Sequence, residues 1–328
     1  METPSLLVAI KSFGERERAA FEQERDNLNT FRGLKRSKHI TQHLVTISQG
    51  KMHYIIFPWA EGGDLENFWK DKSSKRRTPQ LVLWCLKQML GLVEALYALH
   101  QEIGNNFKAL CPHNDPNCRE CEPNCRHGDL KPGNILHFLT GEEGGILKIT
   151  DFGISKVHYD RTFQRSETVT RATTPSYEAP EGSPSLPKGP RSRKYDIWSL
   201  GCIFLEFTIW IVRGWDAVQS FNDARKPESH KQRTEQWAHF FQITEATPPV
   251  ALVHQEVTQV IADMKVAARR QERTALGDLL GIIESDLLKV PVADRCDAVQ
   301  LYEQLATIVQ SAKSDATYLL SNMDLALS

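Results

Sequence analysis

Asp129, Lys131 and Asn134 lie close together in the stretch "RHGDLKPGNIL", residues 126–136. Spacings of two and three put a carboxylate, an amine and an amide on a tight loop rather than on one helix face. Pro132 and Gly133 fix the backbone between them. The Ile-Leu pair that follows reads as the start of a short strand. Such a trio suits phosphoryl transfer. A carboxylate can take a hydroxyl proton, an ammonium can offset phosphate charge, and an amide oxygen can hold a hard cation. Taken alone, Asp-x-x-x-x-Asn is equally a turn stitched by side-chain hydrogen bonds, so the rest of the chain must decide.

Several elements would have to position this loop. The run "LLVAI" (6–10) reads as a strand ending at Lys11. Phe21, Glu24, Leu28 and Phe31 recur at helical spacing, which places Glu24 on an apolar face where a carboxylate needs a partner. Two strand-like runs, 44–48 and 53–57, flank the turn "QGK", and "PWAEGGDL" follows as a glycine-containing linker. Thr78 and Pro79 read as the cap and first residue of a long apolar helix that runs to His100. A loop rich in Cys, Pro and Asn leads to Arg126. After it, "ILKIT" reads as a strand before "DFG" at 151–153. Residues 154–195 show little periodicity and read as a long surface loop, while apolar helices dominate from Ile197 onward. Strands first and helices afterwards indicate α+β, a small sheet lobe on a larger helical lobe.

Composition narrows the function further. With 328 residues the chain can bury a large core in one bilobed or two-domain unit. A formal net charge of -1 gives no general attraction to nucleic acid or membrane. The basic runs at 72–77 and 191–194 read as solvated loops. The best candidate for a membrane span, 199–212, is interrupted by Glu206 and falls short of roughly 18 apolar residues. Seven cysteines without a secretion signal point to reduced thiols in the cytosol or nucleus.

Read in order, "VAIK" (8–11), "HGDLKPGN" (127–134), "DFG" (151–153), "APE" (179–181) and "YDIWSLGCIFLE" (195–206) resemble the signature series of eukaryotic-type serine/threonine protein kinases. The phrases "FEQERDNL", "IIFPWAEGGDL" and "YDIWSLGCIFLEF" are most similar to a group of divergent fungal kinases. The resemblance implies a bilobal kinase fold. Residues 1–60 would be a partial amino-terminal lobe and 61–312 the carboxy-terminal lobe. The latter would carry a cysteine-rich insert (105–126) and an activation segment (151–181), with 313–328 as a tail.

It also implies transfer of the γ-phosphate of ATP to Ser or Thr of a protein substrate, with Mg²⁺. Lys11 would bind the α- and β-phosphates, paired with Glu24. Glu22 competes for that pairing, but Leu28 and Phe31 follow Glu24 at i+4 and i+7 on the apolar face. Asp129 would act as base and Lys131 would neutralise the γ-phosphate, the serine/threonine-kinase pattern. Asn134 and Asp151 would hold Mg²⁺. Phe57 would lie behind the adenine, backbone groups of Pro58 and Ala60 would pair with it, and Asp64 would reach the ribose. Glu181 and Arg295 would form a buried pair, and Asp196 would cap the backbone of the loop at 127–134.

Three departures from the family qualify this. The chain opens at the third strand, so no Gly-rich hairpin precedes Lys11. Weakened ATP binding is therefore expected, and a pseudokinase or truncated kinase acting as a protein-interaction scaffold is the alternative. Gly128 replaces the arginine that commonly receives a phosphorylated activation loop, here carrying Ser166, Thr168, Thr170 and Thr173. Finally, Cys111, Cys118, Cys121 and Cys125 fall within fifteen residues. They could complete a tetrahedral zinc site, with His113 as a substitute ligand, or remain four reduced thiols on an insert.

Overall fold

Strand β1 (Val8–Phe13) pairs antiparallel with β3 (Met52–Pro58), and β3 with β2 (Val45–Gln49), in the sheet order β1-β3-β2. The structure is a computed structural model. It describes residues 6–34, 38–72, 78–102, 124–141, 143–153, 156–158, 175–187, 191–226, 238–269 and 273–319. Alternation decides the two faces of the sheet: Ile10 and Ile47 are exposed while Phe13 and Ile55 are buried. Helix α1 (Arg18–Arg32) buries Phe21, Leu28 and Phe31 on its apolar stripe. The same stripe carries Glu24 and Asn27 into the interior.

Helices make up most of the remainder. These are α2 (Leu65–Asp71), α3 (Pro79–Tyr97), α4 (Lys194–Arg213), α5 (Trp215–Ala224), α6 (Gln255–Arg269), α7 (Ala275–Ile282), α8 (Ala298–Ser314) and α9 (Ala316–Leu319). Thr78 caps α3 by accepting from the Leu81 N–H, with Pro79 in the first turn where its missing N–H costs nothing. By length and apolarity both 79–102 and 194–213 would also cross a membrane, yet protein covers 67% and 94% of their most apolar windows. Helix α4 is thus a core helix, apolar all round because it is surrounded. The aromatic residues Phe221, Phe240 and Phe241 pack onto this core instead of forming an exposed groove.

Two-stranded antiparallel pairs complete the architecture: β4 (Asn124–Arg126) with β7 (Lys156–His158), β5 (Ile135–Phe138) with β6 (Ile146–Ile149), and β8 (Phe241–Ile243) with β9 (Ala251–Val253). The β5–β6 hairpin is the structural joint. Residues 39–41 run beside β6, with Ile149 N donating to His39 O and Thr41 N to Ile149 O, both at 2.8 Å. On the other edge the linker after β3 joins β5, where Gly62 N donates to His137 O (3.0 Å) and His137 N to Gly63 O (2.8 Å). Both crossings between sheet and helices are therefore tied by backbone hydrogen bonds to the hairpin whose ends carry Asn134 and Asp151.

Candidate active site

Asn134 ends a tight turn begun at Pro132, with its N–H donating to Lys131 O at 2.9 Å. Its carbonyl accepts from Thr150 N at 2.9 Å, so Asp151 lies one residue beyond this closure of the hairpin. The Asn134 amide Nδ2 donates to the Asp129 carbonyl (2.8 Å) and to Asp129 Oδ2 (3.2 Å), leaving Oδ1 as the amide's acceptor. Lys131 Nζ is 3.1 Å from the same Asp129 Oδ2. Asp129, Lys131 and Asn134 thus form one connected group, with Asp129 buried and Lys131 partly exposed.

The loop is held from below by Asp196. This fully enclosed carboxylate accepts from His127 N (2.8 Å), Gly128 N (2.9 Å) and His100 Nε2 (3.0 Å). Burial pushes the Asp196 carboxyl up, but His100 and the Gly128 N–H outweigh it and keep the group below its ordinary range. Gly128 adopts φ 84°, a left-handed conformation in which a side chain is strained. His127 bonds through Nε2 to Thr150 O (2.9 Å) and accepts from Asp129 N at Nδ1 (3.2 Å), which fixes the ring proton on Nε2.

The second group forms around Lys11. Its Nζ lies 2.7 Å from Glu24 Oε2 and 2.8 Å from Asp151 Oδ1, uniting β1, α1 and the segment after β6. Glu22 instead pairs with Arg18 on the exposed side of the helix (2.9 Å). Burial disfavours the Lys11 charge, but Glu24 and Asp151 more than compensate and raise its pKa above the lysine norm. Burial likewise pushes Asp151 up, and the Lys11 ammonium outweighs it to leave the carboxyl lowered.

Asp151 is the one non-glycine residue among those described with positive φ, 62°, a strained setting of the kind found at functional sites. Gly153 permits the close approach of α1, since a Cβ there would come within 2.8 Å of Glu24 Oε2. Phe152 sits between the two groups, its ring centroid 4.7 Å from Phe31 and 5.1 Å from His127, while its carbonyl accepts from Asn27 Nδ2 at 3.0 Å.

The remaining sequence-derived positions line the linker and the lower lobe. Phe57 stands opposite Ala9 in the sheet and Pro58 ends β3 opposite Val8, while the Ala60 carbonyl accepts from Gly63 N. Asp64 caps α2 by accepting from Asn67 N (2.8 Å) and bridges to Leu136 of β5, two residues from Asn134. Arg295, enclosed by protein, grips both oxygens of Glu181 at 2.7 and 2.8 Å.

Spacing in the sequence did not reveal a second buried network. Tyr177 OH donates to Glu206 Oε2 (2.8 Å), and Arg225 reaches Glu206 Oε1 (3.4 Å) from between the rings of Phe221 and Phe240. The only available signal was Glu206 itself, a charge inside an apolar helix.

As to metals, Asn134 and Asp151 are oxygen donors of the type that hold Mg²⁺ together with phosphate oxygens, and Lys11 beside Asp151 suits an anionic ligand. Among the described residues no group of three or more His, Cys, Asp or Glu is placed to hold a metal ion. Cys111, His113, Cys118 and Cys121 lie outside the described residues, as do Ser166, Thr168, Thr170 and Thr173. Cys125 belongs to the hydrophobic core, and burial pushes its thiol up to about 12.

With this geometry in view, a family model described as "Protein kinase domain" matches residues 2–281. Calcium/calmodulin-dependent protein kinase type 1 of Macrobrachium nipponense is 29% identical over 205 residues, covering 62% of this chain and 48% of that protein. Serine/threonine-protein kinase Nek2 of Homo sapiens is 30% identical over 154 residues, 47% of this chain and 28% of that protein. Serine/threonine-protein kinase tousled-like 2 of Xenopus tropicalis is 32% identical over 163 residues, 47% of this chain and 21% of that protein. These alignments span about half or less of the length of the curated relatives.

Proposed function

The chain belongs to the protein kinase family, and on that premise we propose that it transfers the γ-phosphate of ATP to Ser or Thr hydroxyls of a protein substrate. The observation that carries this reading is the joining of two charged groups, Lys11–Glu24–Asp151 and Asp129–Lys131–Asn134, through a single hairpin. Phosphoryl transfer needs little covalent chemistry from the protein and depends on positioning and charge compensation. Lys11, held by Glu24, offers its ammonium to the phosphate oxygens. Asp129 takes the proton of the attacking hydroxyl, and Lys131 meets the negative charge developing beside it. Asn134 Oδ1 and the Asp151 carboxylate would hold Mg²⁺, which when bound supplies further compensation of phosphate charge. The backbone of Pro58 and Ala60 would pair with the adenine in front of Phe57, and Asp64 would reach the ribose from the start of α2.

The four described cysteines are buried and form no disulfide with one another, which suits a reducing cytosol or nucleus. The likeness to divergent fungal kinases rests on three phrases of sequence alone. Zinc on Cys111, Cys118, Cys121 and Cys125 is a separate proposal, supported by the C-x-x-C spacing. Metal analysis of protein purified without added metal tests it, and protein free of zinc would reject it.

None of the described contacts favours the scaffold alternative over the enzyme. The test is labelling of a Ser/Thr peptide library from radioactive ATP by the wild-type chain and by Asp129→Asn. Label on Ser or Thr that falls about 10²- to 10⁴-fold in the variant supports the proposal. Labelling that is unchanged by Asp129→Asn, or ATP binding without transfer, contradicts it.

A further inference from the structure

Helix α4 holds more than the loop at 127–134. Near its start Asp196 accepts from Gly128 N at 2.9 Å, one residue before Asp129. About one turn on, roughly 4.5 Å along the axis, Ser199 Oγ donates to Tyr177 O at 2.8 Å. Two turns further, Glu206 Oε2 accepts from Tyr177 OH, also at 2.8 Å. A single rigid helix therefore sets the distance between Asp129 and the short turn Pro175–Tyr177, gripping Tyr177 by backbone and side chain together. That turn is half-buried and runs directly into Glu178 and the "APE" stretch at 179–181. A protein that presents a hydroxyl to Asp129 approaches beside it.

The grip on the Tyr177 hydroxyl depends on Arg225. Glu206 is 1% exposed, and burial pushes its carboxyl up while Arg225 opposes the shift. A carboxylate so enclosed needs a cation beside it to keep its charge, and a charged acceptor bonds a hydroxyl roughly twice as strongly as a neutral one. Arg225, 3% exposed at the end of α5, donates through Nη2 to Glu206 Oε1 (3.4 Å) and to Asn222 Oδ1. Its guanidinium carbon lies 3.9 Å and 3.8 Å from the ring centroids of Phe221 and Phe240. The Phe240 ring in turn packs 6.0 Å from the ring of Tyr177. The slot is flat on both sides, which suits a planar guanidinium and not a compact ammonium.

We infer that Arg225 is a positioning residue for the protein substrate: through Glu206 it fixes Tyr177, and with it the turn beside which the substrate presents its hydroxyl to Asp129. Arg225 is enclosed by protein and acts at a distance from ATP and from the reacting atoms. The inference rests on the kinase reading above and adds to it a residue that governs the substrate side alone.

The test uses the full chain and a Ser/Thr peptide that it labels. Steady-state phosphorylation is compared in the wild type, Tyr177→Phe, Arg225→Lys and the variant carrying both, with ATP affinity measured in parallel. Tyr177→Phe leaves the pair of Arg225 and Glu206 intact and Arg225→Lys keeps a cation in place, so neither strands a buried charge. Tyr177→Phe should raise the peptide KM at least about tenfold, as expected for loss of one hydrogen bond to a charged group, at unchanged ATP affinity. Arg225→Lys should raise it about threefold or more, and should add nothing in the Tyr177→Phe background, because Arg225 acts through Tyr177. A merely structural role would instead lower kcat and the number of ATP sites together, with the peptide KM unmoved. That pattern, an unmoved KM in either single variant, effects that multiply in the double variant, or ATP affinity falling in step would overturn the inference. Absence of peptide phosphorylation by the wild type would instead reject the kinase reading, and this inference with it.

Discussion

The ion pairs at the joint between sheet and helices differ in kind from those deep in the helical lobe. Lys11 and Asp151 keep 37% and 41% of their side-chain surfaces exposed, and one ammonium is shared between two carboxylates. Arg295, at 0%, is committed to Glu181 and to the carbonyls of Lys194, Lys289 and Val290. Arg225 and Glu206, each at 1%, are equally enclosed. Glu24, 2% exposed, anchors the first arrangement from within, while water reaches Lys11 and Asp151 and lets those two exchange partners at little cost, as a site that receives phosphate requires. Desolvation locks the second, because a buried charge that loses its partner has no water to replace it. The same residue types therefore serve ligand binding in one place and architecture in the other, and exposure decides which.

The largest effect that would break this comparison belongs to the buried pair. Arg295→Ala leaves Glu181 without its partner and should cost about 3–5 kcal/mol of stability in urea unfolding. A loss below about 1 kcal/mol would show that the lower lobe tolerates exchange as readily as the joint does. Next, Glu24→Gln should cost less, about 1–3 kcal/mol, because the carboxylate is buried but its partner Lys11 keeps Asp151 and water. It should nevertheless weaken ATP binding, because Lys11 loses the carboxylate that fixes it. A large stability loss with unaltered ATP affinity would reverse the assignment.

The smallest effect is the pH dependence. The Asp151 carboxyl is lowered on folding, so its contribution is present above the unfolded value of about 4 and is lost as pH falls through its lower folded value. Lys11 is raised, so its contribution holds below about 10.5 and is lost as pH rises through its folded value. Asp151→Asn should accordingly flatten the acid limb of stability below about pH 4. An unchanged limb would mean that Lys11 does not act on Asp151 in solution.

Local spacing made part of this legible. The turn at Pro132–Asn134, the cap at Thr78 and the inward stripe of α1 with Glu24 are properties of short segments, and the sequence shows them directly. The ordered motifs also placed Asp129 and Asp151 in one site, although 22 residues separate them. What stayed hidden depends on pairings without a periodic signature. His100 meets Asp196 across 96 positions, residues 39–41 lie alongside β6, and Arg225 enters between two phenylalanine rings to reach Glu206. Helix α3 matches α4 in apolarity and goes deep into the core, and only packing tells such a helix from a membrane span.

The most direct test of the central claim is ATP binding by the chain, with and without Mg²⁺, beside Asp151→Ala and Lys11→Ala. Saturable binding that Mg²⁺ strengthens and that each substitution weakens at least about tenfold is the predicted result. Equal ATP affinity in all three proteins, or no dependence on Mg²⁺, would contradict the assignment of the charged cluster around Lys11 to phosphate binding.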